Sequence, residues 1–428
     1  MSSNSKTLRF EDGAIQFRQR IVVSLLSHRP LLIRNIRADD VQHPGLRDYE
    51  ASFLRLIDNV TNGSKIEINA TGTQLRFHPG TLLGGELEHA CPDSRSIGWF
   101  VEGILPLAPF GKEALEIQFT GITDGSCQVD PSPDYWNRSA LPLFSHFGIG
   151  LDTDTFGQDI PAQIKVVSRA AAPDSGEGKG RVLLTCPIVK QLQSIDYTDP
   201  GKVKRIRGNA ISCKIVSSSM AARVAYAAKG VFHKLLPDVW IHTDVHTPKR
   251  HHCGPSPGMM MVVSSESTTG VILTAECCLD HRNNQQDRGT ELPEDLGKRG
   301  ACMLLEEVRR GGCIDTSCQS LAFLWMALTP EDVSRIRVGT LSQYSIETLR
   351  LIKQAFDVEF KVTPDMETKT VLLSCLGTGY RNMAKATVPK GGEVGWAAAD
   401  ETGLPKLNAG ADETEPPKLN AVVGAAWP

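Results

Sequence analysis

Apolar residues recur at helical spacing through AIQFRQRIVVSLLSH, at Phe17, Ile21, Leu25 and Leu26, and Pro30 follows the end of that run. LLIRNIRA then reads as a strand. LRDYEASFLRLIDNV is helical again through Tyr49, Phe53, Ile57 and Val60 and stops at Asn62-Gly63. KIEINA and TQLRFHP alternate as a β-pair. The same succession returns as helix SIGWFVEGILPLAPF, strand LEIQFTG, a helix around NRSALPLFSHFG, and strands AQIKVVSRA and RVLLTCPIV. It comes a third time as helix CQSLAFLWMAL, strand RIRVGT, helix SIETLRLIKQAF, and strands VEFKVTP and TVLLSCLGTG. Three units of helix–strand–helix–strand–strand predict an α+β fold. Each unit packs two helices on a small sheet, and stacking lets the helix layers bury one another.

The stretch around 190–290 breaks the period. It opens with TDPGKVKRIRG, continues into the helix MAARVAYAAKGVFHKLL, and ends in strands VWIHTDV, GMMMVVSSES and GVILTAECC. These elements predict a smaller α/β domain inserted into the larger one. The helix LPEDLGKRGACMLLEEVRRGG, capped near Pro293-Glu294, is expected to return the chain to the repeats. The expected boundaries are 1–189 for repeats one and two, 190–290 for the insert, 291–385 for repeat three and 386–428 for a tail. That tail carries the near-copies DETGLPKLNA and DETEPPKLNA without apolar period, and is expected to be disordered.

Composition narrows the function classes. With 41% apolar residues the chain can bury a sizeable core, and its net charge of −3 argues against broad, non-specific binding of nucleic acid. The eleven cysteines form no CxxC pair. MSSNSKTLRFEDG lacks the apolar core of a secretory leader, and no run approaches a membrane span. A reducing compartment and no membrane are expected.

Two tempting motifs fail on geometry. DSGEGKGR (174–181) is not a phosphate-binding GxxxxGK[ST] and lies between two strands. His242, His246, His251, His252 and Cys253 match no zinc spacing. On a strand, residues four apart stand ~13 Å from each other, too far to share one metal. No metal and no cofactor are expected.

Two basic clusters remain as binding candidates. Lys202, Lys204, Arg205 and Arg207 alternate through GKVKRIRG, which on a strand gives a charged edge that either meets RNA phosphates or guards the edge from pairing. On the helix after Tyr344, apolar Ile346, Leu349, Ile352 and Phe356 define the inner stripe, with Ser342 or Ser345 as cap. Arg350 and Lys353 lie opposite as a candidate partner-docking face.

Longer motifs carry a family resemblance: PGLRDYEASFLRLIDNVTNGS (44–64), TDPGKVKRIRG (198–208), LPEDLG (292–297), EEVRRGGCID (306–315) and QSLAF (319–323). With the three repeats and the insert, the chain resembles the RNA 3'-terminal phosphate cyclases over about residues 7–385. It resembles more narrowly the cyclase-like branch associated with nucleolar assembly of the small ribosomal subunit. The cyclases use ATP to adenylate a histidine and then activate an RNA 3'-phosphate for ring closure. Matching YSIET to their pattern puts Tyr344 at the histidine position. Ser320, Leu321 and Ser317 stand where the family carries Asp-Gln and an upstream His, and DGAIQ replaces a glycine-rich turn. Tyr49 and Glu50 replace a polar pair, and RAAAPDSGEGKGR a glycine signature. A phenol of pKa ~10 is protonated at neutral pH and a poor substitute for imidazole. Arg18 and Arg47 persist, and guanidinium groups suit an anion such as phosphate or sulfate. The resemblance implies a non-catalytic pseudoenzyme in the nucleus and nucleolus, required for processing of pre-18S rRNA. Its implied partners are a ribosome-assembly GTPase, pre-ribosomal RNA and small-subunit processome proteins. A pre-rRNA endonuclease is the alternative, and a surviving cyclase a more distant one.

Overall fold

Each repeat is a βαβαββ unit. The first contains β1 (Leu8–Phe10), α1 (Phe17–Ser27), β2 (Leu31–Ile33), α2 (Asp48–Val60), β3 (Thr61–Asn62), β4 (Lys65–Ile68), β5 (Leu75–His78) and β6 (Thr81–Leu82). The second contains β7 (Gly85–Ala90), α3 (Ile97–Ile104), β8 (Leu115–Gly121), α4 (Pro133–His146), β9 (Gln163–Ser168) and β10 (Gly180–Cys186). The third opens with β11 (Asp196–Tyr197) and is then interrupted by the insert: β12 (Val203–Cys213), α5 (Ser219–Phe232), β13 (Val239–His246), β14 (Gly258–Ser267), β15 (Ile272–Cys278) and α6 (Pro293–Arg310). It resumes with α7 (Gln319–Leu328), β16 (Val333–Val338), α8 (Gln343–Phe356), β17 (Lys361–Asp365) and β18 (Thr370–Leu376). This computed structural model describes residues 6–125, 130–150, 161–171, 179–214, 219–247, 253, 257–279 and 291–382. The tail expected over 386–428, His251, His252 and residues 174–178 lie outside the described residues.

The three sheets share one topology, β1-β2-β5-β4, β7-β8-β10-β9 and β11-β16-β18-β17. In each, the opening strand runs parallel to the next, as in Leu8↔Leu31, Gly85↔Leu115 and Asp196↔Arg335. The α+β repeat expected from the pattern is present, with this opening strand added. β1 and β11 have three and two residues, too short for a period to register, and β7 alternates Glu with Leu on a half-exposed edge. One core runs through all three units. At its centre α7 is apolar nearly all round and buried at every position.

The insert has its own sheet, β13-β12-β14-β15, and its own core against α5 and α6. Leu296, Ala301 and Leu304 of α6 share that core with Val224, Phe232 and Met261, so α6 packs with the insert and not with the third repeat. The reason is Gly297, where a Cβ would lie 2.3 Å from the Val224 carbonyl oxygen: the missing side chain lets α6 close on α5. The charged-edge reading of GKVKRIRG holds for Lys202, Lys204 and Arg205, which β13 does not reach, and is corrected at Arg207. From Ile206 onward β12 is paired on both sides, to β13 and β14, and is an interior strand.

Candidate functional site: a closed cyclase-like pocket

Helices of all three units converge on Tyr344. The α8 N-terminus is set by Ser342, whose hydroxyl accepts the Ser345 N–H at 3.1 Å. This places Tyr344 in the first turn, against α1 and α3. The phenol donates to Glu102 Oε1 at 2.7 Å and accepts from the Gln19 side-chain amide. Arg18 Nη2 holds the other oxygen of Glu102 at 2.8 Å, donates through Nη1 to the Trp99 carbonyl, and stacks over the Trp99 ring with its centre 4.3 Å away. Gln16 donates to the Tyr344 carbonyl at 2.9 Å. Thr348 donates to Ser320 Oγ at 3.1 Å, and Ser345 to Gln319 Oε1 at 2.8 Å.

This network sets the protonation state of the phenol. Burial, followed by the negative charge of Glu102, pushes the Tyr344 phenol well above its ordinary pKa. A phenol held protonated and donating to a carboxylate is not a nucleophile. The cavity lined by Gln19, Glu102, Leu321, Tyr344 and Thr348 has about 30 Å³, against roughly 300–1,000 Å³ for ligand pockets.

The other predicted residues fall in separate places. Arg18 lies in this network. Arg47, at the start of α2, pairs with Asp40 at 2.8 Å and donates to the His43 carbonyl at 3.0 Å, so different carboxylates hold the two guanidiniums. Tyr49 meets the edge of Trp99 at 5.1 Å, and buried Glu50 caps the Arg47 N–H at 2.8 Å while pairing with Arg37 at 2.6 Å. Arg350 and Lys353 are exposed on the outer face of α8, with Glu347 and Glu359 as neighbours at 2.5 and 2.7 Å. Lys202 and Lys204 are exposed. Arg205 and Arg207 make two-pronged pairs with Glu266 and Asp238.

Glu102 and Gln19 escape sequence reasoning, although one signal exists. Glu102 is the single charge in the otherwise apolar helix IGWFVEGI. A second hollow was not anticipated either. It has about 770 Å³ between β15, α6 and the start of α4, lined by Asp130, Glu276, Arg299 and Arg310 among others. Ser132 donates to Glu276 through its N–H at 2.8 Å and its hydroxyl at 2.5 Å, and burial pushes the Glu276 carboxyl up to about 8. Beside it, Tyr135 donates to Asp315 at 2.7 Å.

A family model described as RNA 3'-terminal phosphate cyclase matches residues 9–362. The chain belongs to that family. It is 45% identical over 396 residues to the human RNA 3'-terminal phosphate cyclase-like protein, covering 90% of this chain and 99% of the human one. It is 44% identical over 388 residues to a probable cyclase-like protein of Dictyostelium discoideum, covering 89% of this chain and 100% of that protein. It is also 36% identical over 385 residues to a Schizosaccharomyces pombe protein named rRNA processing protein rcl1, covering 89% and 98%.

Proposed function

We propose that this chain is a non-catalytic factor in ribosome biogenesis, acting in pre-18S rRNA processing within small-subunit precursors in the nucleolus. The observation that carries this reading is the locked Tyr344–Glu102–Arg18 network in a 30 Å³ cavity. An adenylating enzyme needs a deprotonated nucleophile and room for ATP, and a protonated phenol in so small a cavity supports the non-catalytic reading. The name of the fission-yeast relative supports the rRNA-processing part. The direct test is incubation with α-labelled ATP and magnesium, followed by a denaturing gel. No label should remain on the polypeptide, and a covalent adenylate would end the proposal.

The role requires binding partners, and α8 offers a rigid face for one. Arg350 and Lys353 stand out on that helix, each with only a screened surface ion pair to give up. The proposed occupant is an acidic segment of a ribosome-assembly GTPase. Arg350→Glu with Lys353→Glu should abolish co-purification of that GTPase without changing the melting temperature. Arg18 and Arg47 are the proposed contacts for an anion, which must displace Glu102 and Asp40. Glu102→Gln should therefore tighten sulfate binding measured by calorimetry.

A second reading, endonuclease action on pre-rRNA, draws on Glu276. A carboxyl raised to about 8 beside a 770 Å³ hollow suits general acid–base work. Cleavage of a spacer RNA by purified protein, abolished by Glu276→Gln, would favour it over the non-catalytic reading.

A further inference from the structure

The inserted sheet has two unlike faces. Ile206 and Ala210 of β12 point into the core under α5 and α6. Arg205, Arg207 and Asn209, alternating with them, point the other way. The register places Trp240 of β13 beside Arg207, and His242 beside Asn209. Trp240 is 58% exposed, yet it is not loose. Its indole N–H donates to His242 Nδ1 at 3.2 Å, and the two rings lie 5.7 Å apart. On the far side of β12, Arg138 of α4 reaches the sheet and donates to Asn209 Oδ1 at 2.8 Å and Ser264 Oγ at 3.4 Å. Among the described residues Arg138 has no carboxylate within 4.0 Å, although two unlike guanidinium neighbours on this face do: Arg207 shares exposed Asp238 with solvent, and Arg205 pairs with Glu266.

We propose that this face binds single-stranded RNA, with a base stacked on Trp240 and a phosphate on Arg207. It rests on the reading that the chain works on pre-rRNA, and it names the surface that touches it. An ordered indole held on a strand costs little entropy to present, and every base offers a π-face to it. A guanidinium in the adjacent register position supplies the phosphate contact, and Asn209 and His242 supply polar groups within reach of a base edge. The cations of this face, Arg138, Arg205 and Arg207, stand beside Asp238, Glu266 and Asp244, so a phosphate is taken up by exchange for Asp238, the exposed carboxylate that Arg207 shares with solvent. An acidic peptide would use the cations and leave the indole idle. A duplex hides the base faces that the indole requires.

The test is fluorescence anisotropy of the full chain with a labelled, mixed-sequence RNA of about 12 nucleotides, within the range one stacking module spans. Binding should weaken with salt. Trp240→Ala should reduce affinity about tenfold or more, and Trp240→Phe should keep most of it. Asp238→Ala should strengthen binding, because it releases Arg207, a gain that a purely structural role of this pair would not produce. Absence of binding at low salt, or equal affinity of Trp240→Ala and the native chain, overturns the inference. So does a Trp240→Ala chain that keeps its RNA affinity but loses a protein from pre-ribosomal particles, which would assign the face to a protein. Loss of oligonucleotide binding alongside normal rRNA processing in cells supports the RNA face and counts instead against the processing role.

Discussion

Tyr344 shows how one side chain closes a pocket. Its ring fills the space and its hydroxyl satisfies Glu102, which in turn holds Arg18. Tyr344→Phe removes both hydrogen bonds of the hydroxyl, to Glu102 and from Gln19, while Gln19 and Arg18 remain on the carboxylate. A loss of about 1 kcal/mol in denaturant melts is expected. Tyr344→His alone should not restore adenylation, because Ser320 and Leu321 still line a cavity without room for ATP. The outlier Tyr344 was legible from the motif around it. Its partner Glu102 was not, because the contact spans 242 positions and exists only once α3 and α8 meet.

At the scale of elements, α8 departs from its own apolar stripe. The pattern nominates Ile346, Leu349, Ile352 and Phe356 as the inner face. Ile352 is buried as nominated, but the other most buried positions are Ser345, Thr348 and Leu351. Small polar residues turn inward because Gln319 and Ser320 on α7 give them partners, so burying them carries no unpaired group. Ser342→Ala, which deletes the cap, should cost about 1 kcal/mol in thermal melts. α6 teaches the same lesson from the other side. Its apolar spacing announced a helix, but nothing in the spacing said which sheet it would cover. Gly297→Ala should force α6 away from α5 at a cost of roughly 1–3 kcal/mol. Hydrogen exchange should locate the loosening in the insert and leave α1, α7 and α8 protected.

Across the whole molecule, buried charge joins the insert to the second unit. Arg169 is buried, pairs with both oxygens of Asp134 on α4 at 2.8 Å, and reaches His246 of β13 at 3.2 Å. Burial holds Asp124 beside it, and Asp315 elsewhere in the core, up to about 6, and Glu276 up to about 8. These folded values lie above the unfolded ones, so the fold keeps protons that the unfolded chain has released. The unfolded state binds fewer protons, and stability therefore falls as pH rises from about 4 to about 8. Glu276→Gln should flatten the upper part of that decline in melts taken across this range. Arg169→Met strands Asp134 in the boundary and should destabilise by about 3–5 kcal/mol.

The local pattern was enough for the repeat, the insert, and most helices and strands. Each of these depends on neighbours in sequence: period, caps and turns. The tertiary structure alone decided that α6 belongs to the insert, that β12 lies inside its sheet, and that Glu102, Gln19 and Arg18 close the pocket around Tyr344. These depend on which surfaces meet across hundreds of residues. There the deciding quantities are a missing Cβ, a satisfied buried hydrogen bond and a paired charge, none of which periodicity encodes.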